Sequence, residues 1–133
     1  MNILATDMDG TFLDHLGSYD KVRLDKLLDA CEAKNYVFTV ASGRSLLALE
    51  ELFDGFVDRI AIIAENGALV QYKGEVLFES KLEPKDYLEI ADTTSALPTC
   101  EGILLSGRRG AYAPEDADPA YLKAMERYYE NVM

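Results

Sequence analysis

Two carboxylates one residue apart, Asp7 and Asp9, follow a short apolar run that begins at Ile3. Side chains alternate between the two faces of a strand, so both acids can point the same way where a strand over residues 2–6 ends. Open α/β sheets bind ligands at the carboxyl ends of their strands. Two carboxylates this close repel each other unless a cation or a proton lies between them. The spacing therefore favours a site for Mg²⁺ or a similar hard cation.

The chemistry open to this pair is phosphoryl transfer. Asp7 suits a nucleophile that attacks phosphorus and forms an aspartyl-phosphate, and Asp9 suits a general acid and base for the leaving oxygen and the attacking water. A pair of surface acids in a turn is the alternative that Asp-x-Asp alone leaves open. An EF-hand loop is not favoured, because Thr11 stands where that loop needs a third ligand and Gly10 comes too early.

A second motif, Thr-Val-Ala-Ser-Gly-Arg at residues 39–44, joins a predicted strand to a predicted helix. Backbone N–H groups at a helix start bind anions, and Ser42 adds a hydroxyl donor there. Gly43 lets a ligand approach the backbone, and Arg44 can clamp a phosphate or a carboxylate. The alternative is that Ser42 is only a helix N-cap and that Arg44 is a solvated side chain.

A third motif, Glu-Asn-Gly at residues 65–67, follows the next predicted strand. Asn66 can bond a substrate hydroxyl or a phosphate oxygen, although Asn-Gly also forms ordinary turns. Because the carboxyl ends of neighbouring parallel strands lie together, the three motifs should meet in one crevice. This convergence favours an enzyme.

A strand–helix repeat must position these motifs. Short apolar runs predict three buried strands, and apolar residues at helical spacing predict a helix between successive strands. This order is typical of a parallel sheet with right-handed crossovers. The predicted elements are strands at 2–6, 36–41 and 59–64, and helices at 20–34 and from Leu46 to a stop at Gly55.

The pattern changes after residue 67. Residues 68–72 and 75–79 flank Lys73-Gly74, which predicts a hairpin. A helix opened by Pro84 and a final helix that continues to the chain end are also expected. Two short strands are predicted between those helices, near 102–106 and 110–113, and a domain boundary is predicted near 80–82.

The composition limits the partners. The 133 residues carry 13 basic and 24 acidic side chains, a net charge of −11. This charge argues against nucleic acid and against anionic membranes, but not against a phosphorylated substrate that local donors bind. Cys31 and Cys100 form no CxxC pair, and neither a basic leader nor a run of ~20 apolar residues is present. We therefore expect a cytoplasmic protein.

The motifs resemble those of a known family. Residues 7–13 (Asp-Met-Asp-Gly-Thr-Phe-Leu) are similar to the first motif of haloacid dehalogenase-like (HAD) hydrolases, and residues 40–44 to the second. With residues 65–68, the pattern resembles the Cof-type phosphatases, which carry an α/β cap between two halves of the core. The resemblance implies an α/β fold: part of a Rossmann-like parallel sheet in a three-layer core, with part of an α+β cap.

The resemblance also implies a function and roles for the motif residues. The function is a Mg²⁺-dependent phosphatase of small phosphorylated metabolites that acts through an aspartyl-phosphate. The implied roles are Asp7 as nucleophile and Mg²⁺ ligand, Asp9 as general acid/base with its carbonyl on the metal, Ser42 as phosphate-binding hydroxyl, and Gly43, Arg44 and Asn66 near the phosphate or substrate.

Only the front half of the family pattern is present. Residues 1–80 correspond to the N-terminal part of the core and residues 81–133 to the N-terminal part of the cap. The family's lysine motif and its Gly-Asp-x-x-Asn-Asp-like motif have no match here. We therefore expect a truncated chain with weak or no activity alone. Alternatives are a non-catalytic remnant that binds metal or dimerises and, less favoured because of the Gly10-Thr11 turn, a phospho-acceptor domain of the receiver type.

Half a core should leave surfaces open. In the resembled fold the first strand is central, so residues 2–6 would become an exposed apolar edge in this chain, and such edges recruit other strands. The final predicted helix carries a second apolar surface. A homodimer through either surface is expected, with the helix stripe formed by Tyr121, Leu122, Met125, Tyr128, Tyr129 and Val132.

Overall fold

The first half of the chain forms a parallel βαβαβ unit, as predicted. The computed structural model describes residues 1–133. Strands β1 (Asn2–Asp7), β2 (Tyr36–Ala41) and β3 (Ala61–Ala64) run parallel in the order β1-β2-β3. Helices α1 (Lys21–Ala33) and α2 (Leu46–Leu52) connect them. The three motifs thus follow the carboxyl ends of three neighbouring strands.

Local sequence signals explain the bounds of α1. The Asp20 side chain accepts a hydrogen bond from the Arg23 N–H and caps the first turn. Leu24, Leu28 and Cys31 recur on one face and are buried. Asn35 follows the helix at a φ of 58°, a left-handed conformation that asparagine tolerates at helix ends.

The predicted hairpin consists of β4 (Leu69–Tyr72) and β5 (Glu75–Glu79). Lys73 and Gly74 both have positive φ, 51° and 79°, as a type I′ turn requires. β4 pairs antiparallel with β3, so the hairpin extends the main sheet to five strands in the order β1-β2-β3-β4-β5. The fold is therefore a mixed α/β sheet whose parallel part carries the motifs.

One apolar cluster holds both crossover helices against the sheet. Its residues recur at helical spacing in α1 and α2 and at alternate positions in the strands, the two patterns that place side chains on one face. The largest fully buried side chains are Phe53, Met8, Leu24, Leu28, Leu49, Ile60, Ile62 and Val40.

Strand β1 lies at the open edge of the sheet. It pairs only with β2, and its apolar side chains Ile3 and Leu4 are 65% and 41% exposed. The composition of this strand predicts full burial, which is wrong for this chain, because apolar residues cannot bury themselves without a neighbour on each side. The exposed edge implied by the family resemblance is confirmed.

The second half forms a small α+β unit. It contains α3 (Pro84–Ser95), the antiparallel pair β6 (Leu105–Gly107) and β7 (Gly110–Tyr112), and α4 (Pro119–Met125). The five-stranded sheet ends at Glu79, and the domain boundary at residues 80–82 stays a prediction. None of the four helices has the length and apolar character needed to cross a membrane.

Polar contacts of β6 and its turn join the α+β unit to the first half of the chain. Arg108 donates two hydrogen bonds to the Glu79 carboxylate, each 2.9 Å long, and the Ser106 hydroxyl donates to Glu65. The Lys81 Nζ atom lies 3.2 Å from a Glu79 oxygen. Hydrogen bonds from Arg108, and to a lesser extent from Lys81, lower the pKa of Glu79 to about 2.

The final helix is shorter than predicted. α4 ends at Met125, and the N–H groups of Tyr128 and Tyr129 both turn back to the Met125 carbonyl, at 2.9 and 3.1 Å. Residues 126–133, named here the C-terminal tail, then bend at Asn131, where φ is 53°. The periodic apolar residues predict a continued helix, but pairing of the tail with β7 replaces it.

Candidate active site

The first motif leaves the Asp7 carboxylate exposed at the end of β1. Asp7 lies beside Ala41 in the parallel register, one residue before Ser42 of the second motif. Its carboxylate takes part in none of the ion pairs or side-chain hydrogen bonds of the chain. Met8 is fully buried and fixes the turn that follows, and Gly10 provides a φ of 77°. Asp7 is thus an unpaired acid on a well-anchored loop.

Backbone hydrogen bonds join the second and third motifs. The Ser42 N–H donates to the Ile63 carbonyl at 2.9 Å, and the Asn66 N–H donates to the Ser42 carbonyl at 3.2 Å. The Glu65 N–H donates to the Arg44 carbonyl at 3.0 Å. These bonds explain why two loops 20 to 25 residues apart in sequence are held side by side.

Gly43 and Asn66 touch each other. A Cβ atom at Gly43 would lie 2.9 Å from the Asn66 Oδ1 atom, closer than such atoms approach in proteins. Only glycine therefore leaves the Asn66 amide in its present place. Asn66 has a positive φ of 55°, which its short polar side chain tolerates. The predicted convergence of the second and third motifs is seen in this contact.

Ser42 does not begin the helix, contrary to the sequence interpretation. Ser45 caps α2, accepting a hydrogen bond from the Ala48 N–H at 3.2 Å, and the first helical residue is Leu46. The Ser42 hydroxyl instead accepts from the Arg44 N–H at 3.2 Å. Either serine is of a type that caps helices. Ser45 is the cap because its hydroxyl oxygen reaches the free N–H group three residues further along the chain.

Arg44 clamps Asp9. Its Nε and Nη2 atoms donate to the two carboxylate oxygens of Asp9 at 3.1 and 2.7 Å. Arg44 is 8% exposed, so the alternative of a solvated side chain is wrong. The Arg44 hydrogen bonds are the main cause that lowers the pKa of Asp9, and the charge of Arg127 adds to it, while burial opposes it. Asp9 is thereby held as a carboxylate.

Sequence reasoning missed two residues near the edge of the sheet where β1, β2 and β3 end, named here the rim. The Nη2 atom of Arg127 lies 3.7 Å from an Asp9 carboxylate oxygen, and the Tyr128 ring centre lies 5.8 Å from the Arg44 guanidinium carbon. Both residues belong to the C-terminal tail, which the sequence predicted as helix. No motif marks them, because the approach of Arg127 to Asp9 and of Tyr128 to Arg44 depends on the path of the chain after α4.

A cavity of about 750 Å³ lies between α2, the hairpin and β6–β7. Apolar side chains form most of its wall, and Glu65 of the third motif also faces it. Neither Asp7 nor Asp9 lines it. The acidic pair therefore lies outside this cavity.

The donors at the rim fit a partly hydrated Mg²⁺ ion. No group of three or more His, Cys, Asp and Glu side chains converges in this chain. Mg²⁺ is commonly held by one or two carboxylates and otherwise by water and phosphate oxygens. The unpaired Asp7 carboxylate and the Asp9 main-chain carbonyl are hard oxygen donors of this kind.

A parallel sheet with these three motifs at its carboxyl rim is the arrangement of haloacid dehalogenase-like hydrolases. The family model for haloacid dehalogenase-like hydrolases matches residues 4–133, and the chain belongs to this family. The resemblance predicted from the motifs is thereby confirmed.

Individual relatives are about twice as long as this chain. The chain is 30% identical over 132 residues to 5-amino-6-(5-phospho-D-ribitylamino)uracil phosphatase YbjI of Escherichia coli (strain K12), covering 99% of this chain and 48% of that protein. The crystal structure of SMU.1108c from Streptococcus mutans UA159 matches with a TM-score of 0.88 and 28% identity, over 98% of this chain and 49% of that one. TM0651 from Thermotoga maritima shares the fold, with a TM-score of 0.72, 19% identity and coverage of 99% and 49%.

Substituting Arg44 tests the clamp directly. In Arg44→Ala the pKa of Asp9 is expected to rise toward its ordinary value, because the main stabiliser of the carboxylate is lost while Arg127 remains. The clamp stabilises the fold above the unfolded-state pKa of Asp9 and loses effect as pH falls through the lower folded-state pKa. The stability difference between parent and variant should therefore shrink on acidification.

The measurement is an NMR titration of the side-chain carboxyl carbons, alongside thermal unfolding at several pH values. Arg23→Ala removes an arginine that makes no ion pair and serves as the control. An unchanged Asp9 pKa in Arg44→Ala would contradict the conclusion that Arg44 keeps Asp9 ionised.

Proposed function

We propose that this protein acts as a phosphatase of small phosphorylated metabolites, using Asp7 as the nucleophile and Mg²⁺ as the metal. The single observation that supports this most is the assembly of three motifs at one rim. An unpaired acid ends β1, its neighbour Asp9 is held by Arg44, and Asn66 packs against Gly43. Family membership favours hydrolysis.

The proposed reaction has two steps. An Asp7 oxygen attacks phosphorus, the bond to the leaving oxygen breaks, and that oxygen takes a proton from Asp9. Water then attacks the aspartyl-phosphate, gives its proton to Asp9 and releases phosphate. The Asp7 carboxylate and the Asp9 main-chain carbonyl would hold Mg²⁺, which would offset the negative charge of the phosphoryl oxygens.

Asp9 needs a proton for the first step, whereas the clamp keeps it ionised. A phosphate group beside Asp9 changes this balance in two ways. Its negative charge raises the pKa of a neighbouring carboxyl, and its oxygens compete for the guanidinium of Arg44. We therefore propose that substrate binding loosens the clamp and makes Asp9 available as an acid.

The proposed substrate class is a small phosphate ester. YbjI, the Escherichia coli relative, is named as a phosphatase of a phosphorylated ribitylaminouracil, which supports a phosphomonoester for this chain as well. We also propose a cytoplasmic location. Both cysteines are free thiols, which fits a reducing compartment.

The proposal is tested by hydrolysis of p-nitrophenyl phosphate with Mg²⁺ and with a chelator. The chain spans 48% of YbjI, and this sequence contains no match to the lysine and acidic motifs of the family. We expect weak turnover here and strong turnover from a longer chain that carries them, because each missing charge-stabilising group is worth ~3 kcal/mol. A longer chain without metal-dependent turnover would contradict the proposal.

The exposed β1 edge also supports a dimer, proposed here as the alternative, non-catalytic use of this chain. Tyr121, Leu122 and Met125 of α4 are half-buried, which leaves β1, with Ile3 and Leu4 exposed, as the surface we propose. The edge offers free backbone groups to a second copy. The net charge of −11 opposes association, so added salt should strengthen it.

Light scattering at low and high salt tests this expectation. Leu4→Lys should shift the chain toward monomer, because it places a charge on the edge strand. Leu88→Lys, at a similarly exposed position on α3, is the control. A chain that stays monomeric at high concentration and high salt would exclude the dimer.

A further inference from the structure

The C-terminal tail is attached at two places, to β7 and to the start of α2. At its end, the Ala111 N–H donates to the Asn131 carbonyl at 3.2 Å, and the Met133 N–H donates to the Ala111 carbonyl at 2.8 Å. In its middle, the Tyr128 carbonyl accepts a hydrogen bond from the Ser45 N–H at 3.1 Å. These hydrogen bonds fix the position of the residue before Tyr128 relative to the start of α2.

Arg127 is that residue, and its side chain faces Asp9. Its Nη2 atom is 3.7 Å from an Asp9 oxygen, beyond hydrogen-bond distance, and its side chain is 59% exposed. Asp9 already receives two hydrogen bonds from Arg44. Asp9 is also the only ion-pair partner of Arg127. The donors of this guanidinium are therefore available.

The Tyr128 ring supports the orientation of this side chain. The ring centre lies 5.8 Å from the guanidinium carbon of Arg44 and 5.8 Å from that of Arg127. Both cations are therefore within reach of a cation–π attraction to one ring. This shared contact keeps two positive charges near one ring, and the Nη2 atoms of both guanidinium groups also lie near the same Asp9 oxygen, at 2.7 and 3.7 Å, although like charges repel each other.

We propose that Arg127 binds the phosphoryl oxygens of the substrate and supplies the second positive charge of the phosphate site. This inference rests on the proposed phosphatase function. A phosphate dianion that approaches Asp7 meets two carboxylates in a chain of net charge −11 and needs local cations. Arg44 is nearly buried and engaged with Asp9, whereas Arg127 has free donors in the planar fork that pairs with phosphate.

The test is binding of inorganic phosphate, measured by calorimetry, together with the KM for p-nitrophenyl phosphate. Arg127→Ala should weaken phosphate binding about tenfold and raise KM, because one charge-assisted pair is lost. Arg127→Lys should recover part of the affinity, since it keeps the charge without the fork. Arg109→Ala removes the same charge from an exposed arginine without an ion pair and should change binding less than about twofold.

Unfolding temperatures of the variants show whether each one folds like the parent. Phosphate binding by Arg127→Ala as tight as by the parent would overturn the role of Arg127 and leave the phosphatase proposal intact. Faster turnover by Arg127→Ala would also overturn it, because the tail would then obstruct the site. A parent chain that binds no phosphate would overturn the role of Arg127 alone, because the phosphatase proposal is tested on a longer chain.

Discussion

In a longer chain that carries the missing motifs, replacing Asp7 with asparagine is expected to lower phosphate-ester hydrolysis by at least about a thousandfold, because an amide cannot serve as the attacking carboxylate. The carboxylate is exposed, unpaired and at the end of β1. Asn has nearly the same shape and removes one of two neighbouring negative charges. The variant should therefore unfold at the same temperature as the parent or at a higher one.

Two measurements test this expectation. Turnover of p-nitrophenyl phosphate reports the overall rate, and intact-protein mass after incubation with acetyl phosphate reports the aspartyl-phosphate itself. Asp92→Asn changes an exposed acid of α3 that makes no ion pair and serves as the matched control. Phosphorylation or turnover in Asp7→Asn at the level of the parent would assign the nucleophile to another residue.

Phe53→Ala is expected to reduce the free energy of unfolding by about 3–5 kcal/mol, the usual cost of deleting a buried aromatic ring. Phe53 is fully buried at the end of α2. Its ring stacks on Tyr19 at 5.1 Å and contacts Phe12 at 6.0 Å between ring centres. Because Phe12 belongs to the turn that carries Asp9, the cavity should also loosen the first motif.

Thermal and denaturant unfolding measure this loss, which corresponds to a fall of about 10 °C or more in Tm for a domain of this size. Phe78→Ala deletes the same side chain where it is 53% exposed on β5, and its effect should be much smaller. Equal losses in the two variants would show that Phe53 is not central to the core.

Local sequence determined the elements and the order of the motifs. A short run of apolar, β-branched and aromatic residues specifies β2. Asp20 and Asn35 mark the two ends of α1, and Lys73-Gly74 specifies the hairpin turn. Each of these signals acts between residues close in the chain. The motif at Asp7 and Asp9, with the second motif at the following strand, indicated the family, which the comparison confirms.

Only the tertiary structure decided which groups meet at the rim and which surfaces stay open. Arg44 reaches Asp9 across 35 positions of sequence, and Arg127 reaches it because the C-terminal tail pairs with β7 instead of continuing α4. β1 is exposed because no strand lies on its outer side. Contacts between residues this far apart in sequence produce no periodic pattern in the chain from which they could be predicted. The burial of a strand depends on its neighbours in the sheet, which the strand's own residues do not specify.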